Sequence, residues 1–261
     1  MHRPDPIENL APLPDPEDCR LGEGEVHVWY CRYDPTAPAP LGERYDELMT
    51  AEERARGARF RFDRDRLQHQ MTRALVRTTL SRYADVAPEA WRFGAGERGK
   101  PFVSGPEGAP RLAFNLSNTH GLIACAVSQS FDEVGIDVEH RERVAEMRRL
   151  AEAHFAPPEV SAIRSESEAA IAERFFAYWT LKESYIKARG LGLAIPLEQF
   201  WFQLDDAAEV RIEMDERLGD EPDDWWFGRY SLVDDYRLAL AVRCPSRQQP
   251  SLRAVSTVPL T

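Results

Sequence analysis

A chain of 261 residues with 43% hydrophobic and 10% aromatic content carries enough apolar material for a sizeable core, which excludes an intrinsically disordered protein. Its 44 acidic against 33 basic side chains give a formal net charge of −11, which speaks against general binding to nucleic acid or to an anionic membrane. Any anionic ligand must then meet a local cluster of Lys and Arg.

The N-terminal nineteen residues, MHRPDPIENLAPLPDPEDC, are proline-rich and acidic with no apolar signal core, so residues 1–24 are expected to form a leader. EVHVWYCRY, residues 25–33, alternates as a strand does, and DPTAPAPLG after it reads as a linker. Thr50 with Glu53 three residues on predicts a capping box for a short helix. Asp63 is expected to cap a longer one, with Leu67, Met71, Ala74, Leu75 and Thr78 as its core stripe. WRFGAGERGKPFV predicts a strand and turn, and LAFNLSNT, LIACAVS and EVGIDVE predict three further strands. Pro157 and Pro158 suit the first turn of a helix beginning near Ala156. A long helix from about Glu168 to Ala188 should stop at Gly190. QFWFQL, EVRIEM, WWFGRYSL and YRLALAV give a β-rich end before a polar tail, residues 246–261.

This order predicts an α+β fold of two similar halves in pseudo-twofold relation, 25–133 and 134–245, each a small antiparallel sheet packed with a long helix, with the active site in the cleft between them. No run of about 18 apolar residues occurs, and Cys19, Cys31, Cys125 and Cys244 lack paired or CxxC spacing. A reducing cytoplasm is the natural reading of the cysteines, and a monomer is expected.

Asp137 and Glu139 in GIDVEH stand two apart on a predicted strand, so both carboxylates leave one face. Without nearby soft ligands that pair selects Mg²⁺ or Mn²⁺, and it also reads as an ordinary solvated strand end. Arg54, Arg56, Arg59, Arg61, Arg64 and Arg66, with Arg73 and Arg77 further along the helix, form a cluster suited to phosphate, while interleaved acids allow plain surface pairing. Gly99, Lys100 and Pro101 make a turn with a point charge, and Ser117, Asn118 and Thr119 offer polar donors after a strand. Trp179, Glu183 and Lys187 fall on one line of the long helix at spacing i, i+4, i+8.

In order, GKP, FNLSNT, GIDVE, WTLKESYIK and GLGL resemble the Sfp-type 4′-phosphopantetheinyl transferases over about residues 50–200. The resemblance implies transfer of phosphopantetheine from coenzyme A to a serine of an apo acyl or peptidyl carrier protein, with release of adenosine 3′,5′-bisphosphate. Fatty-acid, polyketide and nonribosomal-peptide carriers are all within its reach. It implies Asp137, Glu139 and Glu159 as ligands of Mg²⁺, with Mn²⁺ as substitute. It implies Glu183 as general base, directly or through a bound water, and Lys187 as pyrophosphate clamp. Lys182 is expected to contact the pyrophosphate or hold the helix. Arg56, Lys100, Pro101, Ser117 and Asn118 are implied at the 3′-phosphate and adenosine end, although many members carry histidine where Asn118 stands. A silent coenzyme A binding module and a metal-dependent phosphohydrolase are the competing readings.

Overall fold

The computed structural model describes residues 5–10, 19–36, 42–141, 147–204, 210–232, 236–245 and 248–260. In chain order its strands are β1 (Asp5–Pro6), β2 (Glu25–Arg32), β3 (Arg92–Ala95), β4 (Pro101–Gly105), β5 (Ala113–Thr119), β6 (Leu122–Ser128), β7 (Val134–His140), β8 (Phe200–Leu204), β9 (Val210–Met214), β10 (Trp225–Leu232), β11 (Tyr236–Arg243) and β12 (Ser251–Ser256). Its helices are α1 (Gly42–Leu48), α2 (Ala51–Gly57), α3 (Asp63–Ser81), α4 (Met147–His154), α5 (Pro157–Arg164) and α6 (Glu168–Arg189).

The same plan occurs twice. A strand leads to a long helix, a two-stranded hairpin and a final antiparallel pair: β2, α3, β3–β4, β5–β6, then β7, α6, β8–β9, β10–β11. In each half the first strand pairs with the last, giving the orders β2-β6-β5 and β7-β11-β10. The α+β architecture in two similar halves follows from this repeat.

Local chemistry accounts for the helix ends. Thr50 accepts from the Glu53 amide at 3.2 Å while the Glu53 carboxylate accepts from the Thr50 amide at 2.9 Å, a complete capping box. For α3 the cap expectation moves by one residue. Phe62 occupies the N-cap without a side-chain bond, and Asp63 and Asp65 sit in the first turn, where carboxylates favour the positive end of the helix dipole. Gly190 closes α6 in the left-handed conformation at φ 67°, a backbone state that glycine adopts without steric cost.

Three apolar cores stack the layers. One joins α3 to the β2-β6-β5 sheet through Leu67, Met71, Ala74, Leu75, Trp29 and Ile123. A middle one joins the two sheets through Val26, Val28, Leu122, Ala124, Ile136, Val138, Leu238 and Leu240. The third packs α6, α4 and α5 on the far side through Phe155, Phe175, Leu181, Tyr185, Phe200 and Ala239.

The two ends correct the sequence expectation of a leader and a tail. β1 pairs in parallel with β10 of the second half, and Ile7 beside it is fully buried. β12 pairs in parallel with β2 of the first half over Ser251 to Ser256. Each terminus therefore completes the other half's sheet. Two residues and a mixed hexapeptide, SLRAVS, are too short to announce a strand, because their pairing energy comes from a partner far away in sequence. Residues 1–4 and 11–18 of the predicted leader, residues 37–41 of the DPTAPAPLG linker and residues 246, 247 and 261 of the tail lie outside the described residues.

Candidate active site at the seam of the two sheets

Strands β5 and β7, one edge from each sheet, run alongside each other, but side chains bridge them instead of a backbone ladder. The Asn115 carbonyl oxygen accepts from the Ile136 amide at 3.0 Å, and the Ser117 hydroxyl accepts from the Val138 amide at 3.1 Å. The polar residues of FNLSNT thus hold GIDVE in place. Gly135 brings the third element in: a Cβ there would stand 2.0 Å from the Ser184 carbonyl oxygen and 2.5 Å from the Ala188 nitrogen. Only glycine lets α6 press onto β7 this closely.

That approach delivers Glu183 and Lys187 to Asp137. Lys187 Nζ donates to Asp137 Oδ1 at 2.6 Å and to Ser117 Oγ at 2.9 Å, and Ser117 Oγ donates to Asp137 Oδ1 at 3.0 Å. Asp137 Oδ2 is buried and has no hydrogen-bond partner. Glu139, two residues on along the same face, accepts from the Thr119 hydroxyl at 3.3 Å and from the Trp179 side chain. Trp179 is in turn stacked on Phe175 at 5.7 Å and 20°. The row Trp179, Glu183, Lys187 is therefore not a solvated face: each member turns toward the Asp137–Glu139 pair.

Electrostatics mark the same place. Burial, then the charge on Asp137, pushes the Glu139 carboxyl up to about 7. Burial and Asp137 also raise Glu183, which Lys187 partly offsets. For both carboxyls, burial and the like charge of Asp137 outweigh the Lys187 ammonium. For Glu139 the folded state binds more protons than the unfolded chain between its ordinary 4.5 and about 7. Its favourable contribution is present at the acid end of that window and is lost as pH rises through it. With divalent ions chelated, Glu139→Gln should melt close to the parent at pH 5 and clearly above it at pH 8, as followed by circular dichroism. A constant gap across that range would refute the assignment.

Glu159, expected as a third metal ligand, and Lys182, expected to contact the pyrophosphate or hold the helix, both lie on the core side of α6. Glu159 is fully buried, with Oε2 accepting from the Ala156 amide at 3.2 Å and Oε1 from the Phe202 amide at 3.0 Å. Lys182 Nζ stands 2.8 Å from Glu159 Oε2 and donates to the Leu197 and Phe200 carbonyls at 2.7 and 2.6 Å. Every proton of that ammonium and both carboxylate oxygens are engaged inside the protein, on the core side of α6. Neither is offered to a ligand. A glutamate three residues after Ala156 is half of a capping box, and that was the available sequence signal.

The remaining expected residues are spread around the seam. Ser117 is in the cluster. Asn118 is exposed and lines a cleft of about 480 Å³ beside Glu139, together with Arg64, Gln68, Thr119, His120 and His140. Sequence reasoning did not bring out Gln68, which no spacing connects to the motif residues, or His120, which directly follows Thr119. Lys100 Nζ donates to the Ala188 carbonyl at 2.6 Å, placing a cation on the last turn of α6, with Pro101 half-buried beside it. Arg56 is exposed on α2, whereas Arg77 is fully buried against Glu53 at 2.7 Å and acts within the fold. Among the described residues no three His, Cys, Asp and Glu side chains close on one point as a metal cage.

Residues 133–241 match the model of the 4′-phosphopantetheinyl transferase superfamily, and residues 43–130 match that of the 4′-phosphopantetheinyl transferase N-terminal domain. The 4′-phosphopantetheinyl transferase HetI of Nostoc is 34% identical over 201 residues, covering 77% of this chain and 83% of the relative. The chain belongs to the 4′-phosphopantetheinyl transferase superfamily. A 4′-phosphopantetheinyl transferase of Bacillus subtilis is 30% identical over 211 residues, with 80% and 89% of the two chains covered. Sfp of Bacillus subtilis strain 168 is 28% identical over 203 residues, with 78% and 86% covered. This transferase is an enzyme of the Sfp type, and its two matched regions meet within a few residues of the start of β7. No described helix is long and apolar enough to cross a membrane, and all four cysteines are buried free thiols.

Proposed function

We propose that the enzyme transfers the phosphopantetheine arm of coenzyme A to a serine of an apo acyl or peptidyl carrier protein at the β5–β7–α6 seam. The observation that supports this most strongly is the meeting of Asp137, Glu139, Glu183 and Lys187 there. In the reaction the serine oxygen forms a bond to the phosphorus bearing the pantetheine arm. The bond from that phosphorus to the bridging oxygen breaks, and adenosine 3′,5′-bisphosphate departs with the electron pair. Glu183 takes the serine proton; its burial and raised pKa suit a base that must be active near neutral pH. Lys187, already within reach of the carboxylates, supplies positive charge to the pyrophosphate. Phosphoryl transfer depends mainly on such positioning and charge.

The residues fit a divalent cation. Asp137 offers a buried, unpartnered oxygen, Glu139 lies on the same strand face, and Mg²⁺ is commonly held by one or two carboxylates together with substrate phosphates. Asp137 and Glu139 would hold it, and when bound it would neutralise charge on the pyrophosphate. Glu159 has no part in this. Transfer to apo-carriers, weighed by intact-mass spectrometry, should vanish with EDTA and return with Mg²⁺ or Mn²⁺. Asp137→Ala should lose it with the fold intact, and full turnover in metal-free buffer would overturn the metal assignment. A phosphohydrolase would release adenosine bisphosphate without a carrier; a silent binding module would release none.

A further inference from the structure

Among the described residues the seam holds three carboxylates, Asp137, Glu139 and Glu183, and a single ammonium within contact distance, that of Lys187. That ammonium is not aimed into open space. It lies 2.6 Å from Asp137 Oδ1 and 2.9 Å from Ser117 Oγ, on the residue best placed to hold a cation. We infer that Lys187 is the resident counter-charge of the site and that it exchanges Asp137 for the coenzyme A pyrophosphate. Divalent cation and coenzyme A then bind with positive coupling carried by this one side chain. The inference rests on the proposed metal and substrate.

Three features support the exchange. The Asp137 side chain is 5% exposed and anchored on β7, whereas the Lys187 side chain is 28% exposed, so the lysine is the partner free to move. A lysine is a point charge on a flexible four-carbon stem and can change acceptors without moving its helix. Ser117 Oγ, which accepts from both the lysine and the Val138 amide, stays with β7 when the lysine leaves and can then donate to Asp137 alone. With the lysine on Asp137, an arriving cation meets a like charge at its own ligand. With the lysine on a phosphate, that repulsion becomes attraction between lysine and substrate. Linkage makes the effect reciprocal: whatever factor coenzyme A adds to cation affinity, the cation adds to coenzyme A affinity.

The prediction has opposite signs for the two ligands. Lys187→Met should weaken coenzyme A, yet bind Mn²⁺ alone more tightly than the parent, on the order of tenfold, within the usual range of such couplings. Lys187→Gln, which keeps a hydrogen-bond donor for Asp137 without the charge, should behave the same way and guards against misfolding of the methionine variant. The measurement is Mn²⁺ titration of the full chain by calorimetry and by paramagnetic resonance, with and without coenzyme A. In the parent, coenzyme A should raise Mn²⁺ affinity on the order of 10- to 100-fold, and most of that factor should disappear in both variants. Mn²⁺ affinity unchanged or lower in both variants would overturn the exchange while leaving the metal site standing. Absence of Mn²⁺ binding in parent and variants alike, even with coenzyme A, would overturn the metal assignment and the exchange together.

Discussion

Glu183→Gln is expected to leave coenzyme A affinity nearly unchanged and to slow transfer to the carrier by roughly 10²–10⁴-fold, the usual worth of general acid–base catalysis. The amide keeps the size of the carboxylate but cannot take a proton. Glu183 has no hydrogen bond or ion pair among the described residues, so the substitution breaks no structural contact. It also removes a negative charge close to Asp137, so the folded protein should be at least as stable as the parent. Loss of rate without loss of stability or substrate binding is the signature of an interaction made on the way to the transition state. Calorimetry with coenzyme A, a thermal melt and the rate of carrier mass gain together check it. Near-normal transfer would remove Glu183 from the role of base.

Lys182→Met should cost on the order of 3–5 kcal/mol of folding stability, because it strands the Glu159 carboxylate in the core without its cation. The Lys182 and Glu159 side chains are 1% and 0% exposed, so solvent cannot take the lysine's place. The Leu197 and Phe200 carbonyls lose a donor as well. Replacing both charged partners, Lys182→Met with Glu159→Met, should recover part of the loss, since two apolar side chains leave no buried charge. Denaturant unfolding of the two single variants and the double gives the coupling directly. If Lys182 touched the coenzyme A pyrophosphate instead, Lys182→Met would weaken coenzyme A binding and leave stability within about 0.5 kcal/mol of the parent, as at an ordinary surface site.

How much of this was legible from residue order alone varied with distance along the chain. The capping box at Thr50, the α6 stop at Gly190, the Asp137–Glu139 pair on one strand face and the Trp179–Glu183–Lys187 row are all set by neighbours within eight positions. Helix and strand periods decide such features, and the periods are written in the sequence. The motif order also carried the family, because it records residues that must meet. Glu159 shows the limit. Its acidic character and position were plain, but beyond the neighbouring Ala156 amide its partners are the Phe202 amide, 43 residues on, and the ammonium of Lys182.

The sequence by itself thus determined the elements, the two-half α+β plan and the set of acids and lysines from which a phosphate-handling site could be drawn. Tertiary structure alone decided which of them meet. Asp137 finds Lys187 across 50 residues because Gly135 lets α6 close on β7, and Ser117 finds Asp137 because the sheet edges β5 and β7 lie side by side. The same packing turned Lys182 and Glu159 into the core and sent each terminus into the other half's sheet. A buried charge must be paired where it lies, and where it lies depends on contacts between segments far apart in the chain, which no local pattern encodes.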